Sequence, residues 1–587
     1  MNKIKTLTLA IAAISAANVQ AFEFNAGPVE AQLNTTLSYG IAVRTEDRNK
    51  GLIHPGTLAE VYGGDKADYY SVGANSYNAD DGTLNYEKND IFTNVVKGSM
   101  DLELVWGSSG LFVRGSAFYD YEIMDEDPAY IDYIDETKDA AGSGYDLLDA
   151  FVWHNFDIGN VPVSARLGRQ VVSWGESTFI QGGINSINPV NASAARKPGV
   201  EVKEILLPVN MAYASFGITD DLTLETFYQL EWEKTRPDSC GTFFSTSDIV
   251  ADGCGPVLLS NTFSQTDYLN QYESGGSVPV TTRTDPDDPS DDGQYGMALR
   301  WYSEALGDTE FGLYHMNIHA RLPAASIQVL SATGVYDSTY HIEYVEDIQI
   351  SGLSFSRGTE SGWSIGGEVS FKQDFPISWN GNELIAAANN ASYGDLTQQA
   401  VAASDDGLIF GDSIEGYDKF DVWQAQMTFI KFFDQVLGAS RLSFVSEVGA
   451  TYIVDLGDGV YGRSSAFGFG TSNRTEQECK DLSLTDNDSY CTDEGFVEEL
   501  SAGIRVKASL DYSNALFGAN LQPNASLSYD KGTGLQFEDK RIVTSLGVNF
   551  DYLNTYSGGI AYVMYDGSDY DQLDDRDNVS LNVKVSF

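Results

Sequence analysis

After its first 21 residues, the 587-residue chain has no apolar run near the roughly 20 residues a spanning helix needs. That excludes a helical anchor. It does not exclude a β-barrel, which hides apolar surface by alternation and tolerates a mean hydropathy as low as −0.22. Basic residues are scarce, 35 against 85 acids, for a formal charge of −50. Such a chain lacks the basic footprint that phosphates need, so nucleic acid is not a partner. The charge reads as solubility and a saline or cation-rich habitat. Proline is scarce too, and Pro55, Pro128, Pro189, Pro198, Pro237, Pro286 and Pro289 fall in polar stretches, away from strand interiors. There are only five histidines, and neither HExxH nor GxSxG occurs. His315 and His319 share a strand face but stand about 13 Å apart, too far for one metal. No catalytic residue and no metal centre is assigned, and the chain reads as a non-enzyme. The four cysteines form two close pairs, Cys240 with Cys254 and Cys479 with Cys491. In an exported chain these spacings predict two local disulfides that stiffen loops, not metal knuckles.

What is present begins with MNKIKTLTLAIAAISAANVQA, residues 1–21. Lys3 and Lys5 precede a short apolar run, and Val19-Gln20-Ala21 is a small-x-small exit. This is the pattern of a cleaved secretory signal peptide, with residues 22–587 as the mature chain. The rest of the chain alternates. Leu33, Leu37, Tyr39, Ile41 and Val43 share one face, as do Leu222, Leu224, Tyr228 and Leu230. The last ten residues, NVSLNVKVSF, put Val579, Leu581, Val583, Val585 and Phe587 on one side. Period two marks strands with one apolar face.

The connections sort by length. Short turns at 107–110, 157–160, 218–221, 306–309, 358–362, 433–439, 513–519 and 554–559 alternate with long polar stretches. The long ones run over about 45–95, 123–146, 173–206, 233–294, 320–347, 373–418, 453–496, 531–540 and 566–576. Eight short and nine long connections predict 18 strands, with 16 as the neighbouring even count and strand pairs able to hide in a loop such as 320–347. The fold class is therefore all-β: a transmembrane antiparallel barrel with short periplasmic turns and long extracellular loops, in the outer membrane of a Gram-negative bacterium. Aromatics at 12% suit two interfacial girdles facing outer-membrane lipid. The final strand is expected to close on the first, because a membrane barrel has no free edge. Its alternation up to Phe587 also resembles the signal read by the outer-membrane insertion machinery.

The third long loop, 173–206, stands out. Trp174, Phe179, Ile180, Ile184, Ile187, Val190, Ile205 and Leu206 are too apolar for a freely solvated loop. The wide lumen is the available place to bury them, and in general porins the third loop does fold inward. Arg169, Arg196 and Lys197 would then meet acidic lumen walls, or an anionic ligand. The expected plug has Trp174, Phe179 and Ile184 packed in the interior, with Arg169, Glu176, Arg196 and Lys197 fixing it by ion pairs. Three acid-rich runs, 285–293, 485–495 and 565–577, suit surface calcium, but none has full EF-hand spacing and solvated loops are the simpler reading.

Around this loop the residues Gly168-Arg169-Gln170, Ser173-Trp174-Gly175-Glu176-Ser177, Gly182-Gly183-Ile184-Asn185, Asn188-Pro189, Lys197-Pro198-Gly199, Glu204 and Pro208 carry a resemblance. So do Gly312-Leu313-Tyr314, His319, Leu322-Pro323, Tyr344 to Ile348, Gly352 to Phe355 and Gly367 to Phe371. Together they resemble a large Gram-negative outer-membrane family known as a domain of unknown function. The chain departs at Val345, where proline is expected. The resemblance implies a barrel working with an inner-membrane exporter of the resistance-nodulation-division type and a periplasmic lipid carrier. It implies passage of a hydrophobic or lipid-like compound. A diffusion porin with a basic inward loop is the alternative within transport, and a non-transporting surface or adhesion protein is the alternative from another class.

Overall fold

The computed structural model describes residues 22–259, 264–330, 338–389, 394–404, 411, 413–457, 459–471, 474–483 and 487–587. The segment read as a signal peptide lies outside them. Eighteen antiparallel strands close into one barrel. The first six are β1 (Val29–Arg44), β2 (Ile91–Trp106), β3 (Ser109–Asp120), β4 (Ser143–Ile158), β5 (Val161–Gln170) and β6 (Val209–Thr219). Next come β7 (Leu222–Gln229), β8 (Tyr295–Ser303), β9 (Thr309–Ile318), β10 (Ile348–Gly358), β11 (Trp363–Ser378) and β12 (Tyr417–Asp434). The circle ends with β13 (Arg441–Ile453), β14 (Leu500–Leu516), β15 (Ala519–Lys531), β16 (Ile542–Tyr552), β17 (Tyr556–Asp566) and β18 (Asn578–Ser586). Short turns at one end of the barrel and long loops at the other alternate between them as the sequence predicts.

Closure runs through the chain's last strand. Residues 578–586 of β18 pair with 36–44 of β1, and Thr35 and Phe587 exchange two backbone hydrogen bonds, at 2.6 and 2.9 Å. β1 extends below that point. There Phe22–Ala26 turns at Gly27, which sits at φ +68°, and pairs back on Val29–Leu33, so this stretch of β1 is not left bare.

The alternation resolves into a lipid face and a lumen face. On β10, Leu353 is 55% exposed while Ile350, three residues earlier, is 2% exposed. Exposed Leu313, Leu527, Leu546, Ile560 and Leu581 continue the outward apolar band, a surface that would be unfavourable in water and suits hydrocarbon. Exposed aromatics lie toward both ends: Trp106, Phe156, Trp301, Phe432 and Tyr552 near the short turns, Tyr228, Tyr295, Trp423, Tyr452 and Tyr529 near the long loops. No helix among the described residues is long and apolar enough to cross a membrane.

The long loops carry structure of their own. Loop 319–347 does hide a strand pair, Ala324–Val329 with Ser338–Glu343. It belongs to a separate five-stranded sheet with Val257–Leu258, Val280–Arg283 and Ser413–Ile414, so it adds nothing to the barrel count. Loops from opposite sides meet over the mouth. Asn75 donates to Asn382 Oδ1 at 3.0 Å, and Gln572 donates to the Thr246 carbonyl at 2.9 Å. The disulfides Cys240–Cys254 and Cys479–Cys491 both form, with Cα separations of 6.1 and 5.6 Å.

This assembly crowds carboxylates together. Burial, then Asp577, Asp574 and Asp575, push Glu46 up to about 7, against the pull of Arg44. Burial, with help from Asp571 and Asp530, pushes Glu538 up to about 7 against Arg541 and a hydrogen bond from Thr533. In the unfolded chain both ionise near pH 4.3, so from about there upward the folded loops hold protons that the unfolded ones have lost. Their contribution to stability is therefore greatest at acid pH and is lost as pH rises through about 7. Amide exchange in loops 45–90, 532–541 and 567–577, corrected for the intrinsic rate, should be faster at pH 8 than at pH 5.5. Equal protection at the two pH values would contradict this.

Candidate functional site: the third loop in the lumen

The third loop, residues 171–208, leaves β5 and returns to β6 through the barrel interior. Its base is closed by one side chain. Asn188 Oδ1 accepts from the Val172 backbone N–H at 2.9 Å, while its amide donates to the carbonyls of Leu207 (2.9 Å) and Gln170 (3.3 Å). Beyond the base, Trp174 is 1% exposed and packs between Phe227 of β7 and Tyr314 of β9, at ring separations of 5.1 and 5.9 Å. Its indole N–H donates to Glu225 Oε2 at 2.7 Å. Ile184 and Ile187 are fully buried in the same core, with Met211, Met316 and Ile350 of the walls.

The loop backbone is held by two buried wall carboxylates. Glu368 of β11 accepts from the N–H groups of Glu176 (2.6 Å) and Ile184 (3.1 Å), and from the Gln426 side chain (2.9 Å). Glu447 of β13 accepts from Thr178 (2.8 Å), Phe179 and Ile180 (both 2.6 Å), and from the Thr428 hydroxyl (2.9 Å). Neither makes an ion pair among the described residues. Each buried charge is compensated by converging N–H and O–H donors, whose bonds to a carboxylate are stronger than neutral ones. The glycines follow from this. A Cβ at Gly175 or Gly183 would overlap a Glu368 oxygen, and Gly175 also sits at φ +88°.

The second half of the loop crosses to the opposite wall. Glu204 pairs with Lys97 of β2 at 2.6 Å, Lys203 with Asp101 of β2 at 3.4 Å, and Glu201 with Lys584 of β18 at 3.3 Å. The Pro198 carbonyl rests against Gly40 of β1, where a Cβ would stand 2.8 Å away. One loop thus touches strands on both sides of the lumen.

Several expected roles shift. Phe179 is 37% exposed and does not pack the interior, because its backbone is turned toward Glu447. Arg169 does form ion pairs, with Glu231 (2.7 Å) and Glu233 (3.6 Å), and Arg196 pairs with Asp238 (2.8 Å), but all three acids belong to the fourth long loop, not to the lumen wall. Lys197 pairs with no carboxylate among the described residues; it donates to the Ala141 carbonyl at 2.8 Å and stands 3.8 Å over the Phe118 ring. Glu176 contributes its backbone N–H and forms no ion pair among the described residues. Arg321, buried at the rim, was not foreseen as part of the site: it donates to the Ile187 carbonyl (3.2 Å), Gln294 (3.0 Å) and the Glu233 carbonyl (2.8 Å). His315 lies outward beside Ser351, and His319 receives the Asp347 N–H at a turn.

The wall formed by β14 to β18 differs in chemistry. The inward residues of β14 to β18 include Lys507, Asn524, Ser526, Ser545 and Ser580, opposite in parity to the lipid-facing leucines. On β6 to β10 the inward side chains Met211, Phe227, Tyr314, Met316 and Ile350 form an apolar strip, interrupted by the Glu225–Arg300 ion pair. The apolar side chains of the third loop, Trp174, Ile184 and Ile187, lie on that strip, while its backbone and charged residues reach the polar walls.

A family model described as "Protein of unknown function (DUF1302)" matches residues 3–587. No curated protein matches the chain. Among solved structures, Acinetobacter baumannii OccAB1 is similar with a TM-score of 0.41 at 10% identity, covering 95% of this chain and 96% of that one. Pseudomonas aeruginosa OccK9 gives 0.39 at 10% identity, covering 95% and 97%. A BenF-like porin from Pseudomonas fluorescens Pf-5 gives 0.38 at 9% identity, covering 95% and 98%.

Proposed function

The chain belongs to the DUF1302 family, and from that premise we propose that it is an outer-membrane transport barrel held shut by its third loop. The supporting observation is the pair of buried wall carboxylates, Glu368 and Glu447, which together accept five backbone N–H groups of that loop. The cargo is hydrophobic or lipid-like. Trp174, Ile184 and Ile187 shield an apolar strip formed by Met211, Phe227, Tyr314, Met316 and Ile350, and a loop displaced from that strip leaves a surface that suits apolar cargo better than ions. A barrel closed in this way needs something else to displace the loop. An inner-membrane exporter of the resistance-nodulation-division type and a periplasmic lipid carrier are the partners that supply cargo and drive. The final strand, Val579 to Phe587, serves as the signal for the insertion machinery.

A diffusion porin is the second reading, favoured by the Ser- and Asn-rich wall of β14 to β18. Its basic-constriction form is weakened because Arg196 and Lys197 are engaged by Asp238 and by Ala141 and Phe118. Deleting residues 176–200 discriminates. The deletion should leave a folded barrel that conducts steadily in a planar bilayer, where the parent is silent. Unchanged conductance, or an unfolded barrel, would defeat the plug.

A further inference from the structure

The extracellular loops hold a group of acids that the loop-3 site does not use. Loop 45–90 carries Asp80 and Asp81, and loop 230–294 brings Asp248 beside them. The three side chains each offer an oxygen within 4.8 Å of the others. Asp80 is fully buried and Asp81 nearly so. One oxygen of each is already engaged: Asp80 Oδ2 by the His54 N–H (3.1 Å), Asp81 Oδ1 by the Gln265 amide (2.6 Å), Asp248 Oδ2 by the Asp81 N–H (3.3 Å). The other oxygens of Asp80 and Asp248 are buried with no hydrogen-bond partner among the described residues. Nor does any lysine or arginine there pair with the three.

Elsewhere this cap pairs its buried acids with arginine: Asp575 with Arg44 at 2.6 Å, Glu383 with Arg474 at 2.6 Å, Asp571 with Arg541 at 2.5 Å. Among the described residues the triad has no such arginine, and two of its oxygens have no hydrogen-bond partner. Burial, then repulsion from Asp81, pushes Asp80 and Asp248 well above the usual carboxylate range, with Asp80 adding to the push on Asp248, and burial holds Asp81 up at about 7. Two buried carboxylates and a half-buried third whose free oxygen is buried, all of like sign, must be neutralised by protons or by a cation. Protons alone fit poorly, since no hydrogen bond joins one of these carboxylates to another and a proton on either orphaned oxygen would find no acceptor. The spacing does suit a cation: oxygens about 2.3–2.6 Å from one calcium lie up to about 5 Å from each other. The donor set is oxygen only, which favours a hard divalent ion over zinc.

We propose that Asp80, Asp81 and Asp248 bind one calcium ion that ties the fourth long loop to the first above the barrel mouth. Calcium is thus assigned here and not to the acid-rich runs. In the last of these, Asp571 and Asp575 are already held by arginines. The site also bears on the plug, because the loop that supplies Asp248 supplies Asp238, the partner of Arg196.

The test uses the folded full-length mature protein in detergent, stripped with a chelator and titrated with calcium chloride by calorimetry. One saturable site is expected, with a Kd between about 10⁻⁶ and 10⁻³ M, and with slower proteolysis of loop 230–294 on saturation. Asp248→Asn should weaken binding at least tenfold, and Asp81→Asn serves if that variant fails to fold. Asp285→Asn with Asp288→Asn, in an acid-rich run, should leave the site intact. Diffuse, non-saturating calcium uptake by the parent would overturn the assignment. So would a site retained in Asp248→Asn and Asp81→Asn, or lost in the Asp285/Asp288 variant.

Discussion

Glu447→Ala is expected to release the tip of the third loop. Three consecutive loop N–H groups, of Thr178, Phe179 and Ile180, donate to this one carboxylate, and the Thr428 hydroxyl completes it. Hydrogen bonds to a charged acceptor contribute about 1.5–3 kcal/mol each, and donors left buried without an acceptor cost a similar amount. The loss is enough to swing the loop tip between closed and open, while β13 keeps its ladder. The variant should show flickering openings in a planar bilayer and new protease sensitivity within 176–183. Glu447→Gln, which keeps an acceptor but loses the charge, should fall between parent and alanine. If Glu447→Ala behaves as the parent in both measurements, the carboxylate is not what holds the loop.

Trp174→Ala has the second large effect, and it acts through packing. The indole is 1% exposed between Phe227 and Tyr314. Truncating a buried tryptophan costs about 3–5 kcal/mol, because neighbours pinned in a barrel wall cannot collapse into the cavity. Glu225 loses the indole donor but keeps Arg300 at 3.1 Å, so its charge is not abandoned. Trp174→Phe should therefore recover most of the loss, since it restores ring packing and forfeits only one hydrogen bond. Thermal unfolding of the folded barrel in detergent measures both. A Trp174→Ala protein as stable as the parent would mean that the ring is not buried in the lumen. Where Trp174→Ala lowers stability and Trp174→Phe does not, the loop belongs to the barrel's core.

The barrel was legible because its rule is local. Alternation of period two and the sorting of connections into short and long are read a few residues at a time, and they return all 18 strands. The strand pair in loop 319–347 was also legible as a pair. Its destination was not, since it depends on Val280–Arg283 and Ser413–Ile414 from other loops. The same limit governs the site. Trp174 and Ile184 announce an inward loop by being too apolar for water. Glu368 and Glu447 look like ordinary strand acids, and they meet the loop from 192 and 268 positions away. Lys197 shows why charge alone misleads. A lysine beside acidic walls suggests an ion pair, yet a carbonyl and an aromatic face satisfy it. Asp80 and Asp81 form an unremarked pair until Asp248 arrives from 167 positions away. Nothing in local spacing could supply it.

The most direct test is the single-channel conductance of the parent protein, refolded and inserted in a planar bilayer, with closure of the barrel verified by its heat-modifiable mobility. A lumen crossed by the third loop predicts silence, and steady conductance once residues 176–200 are removed. A steady open conductance in the parent itself would contradict the account and make the protein a diffusion porin.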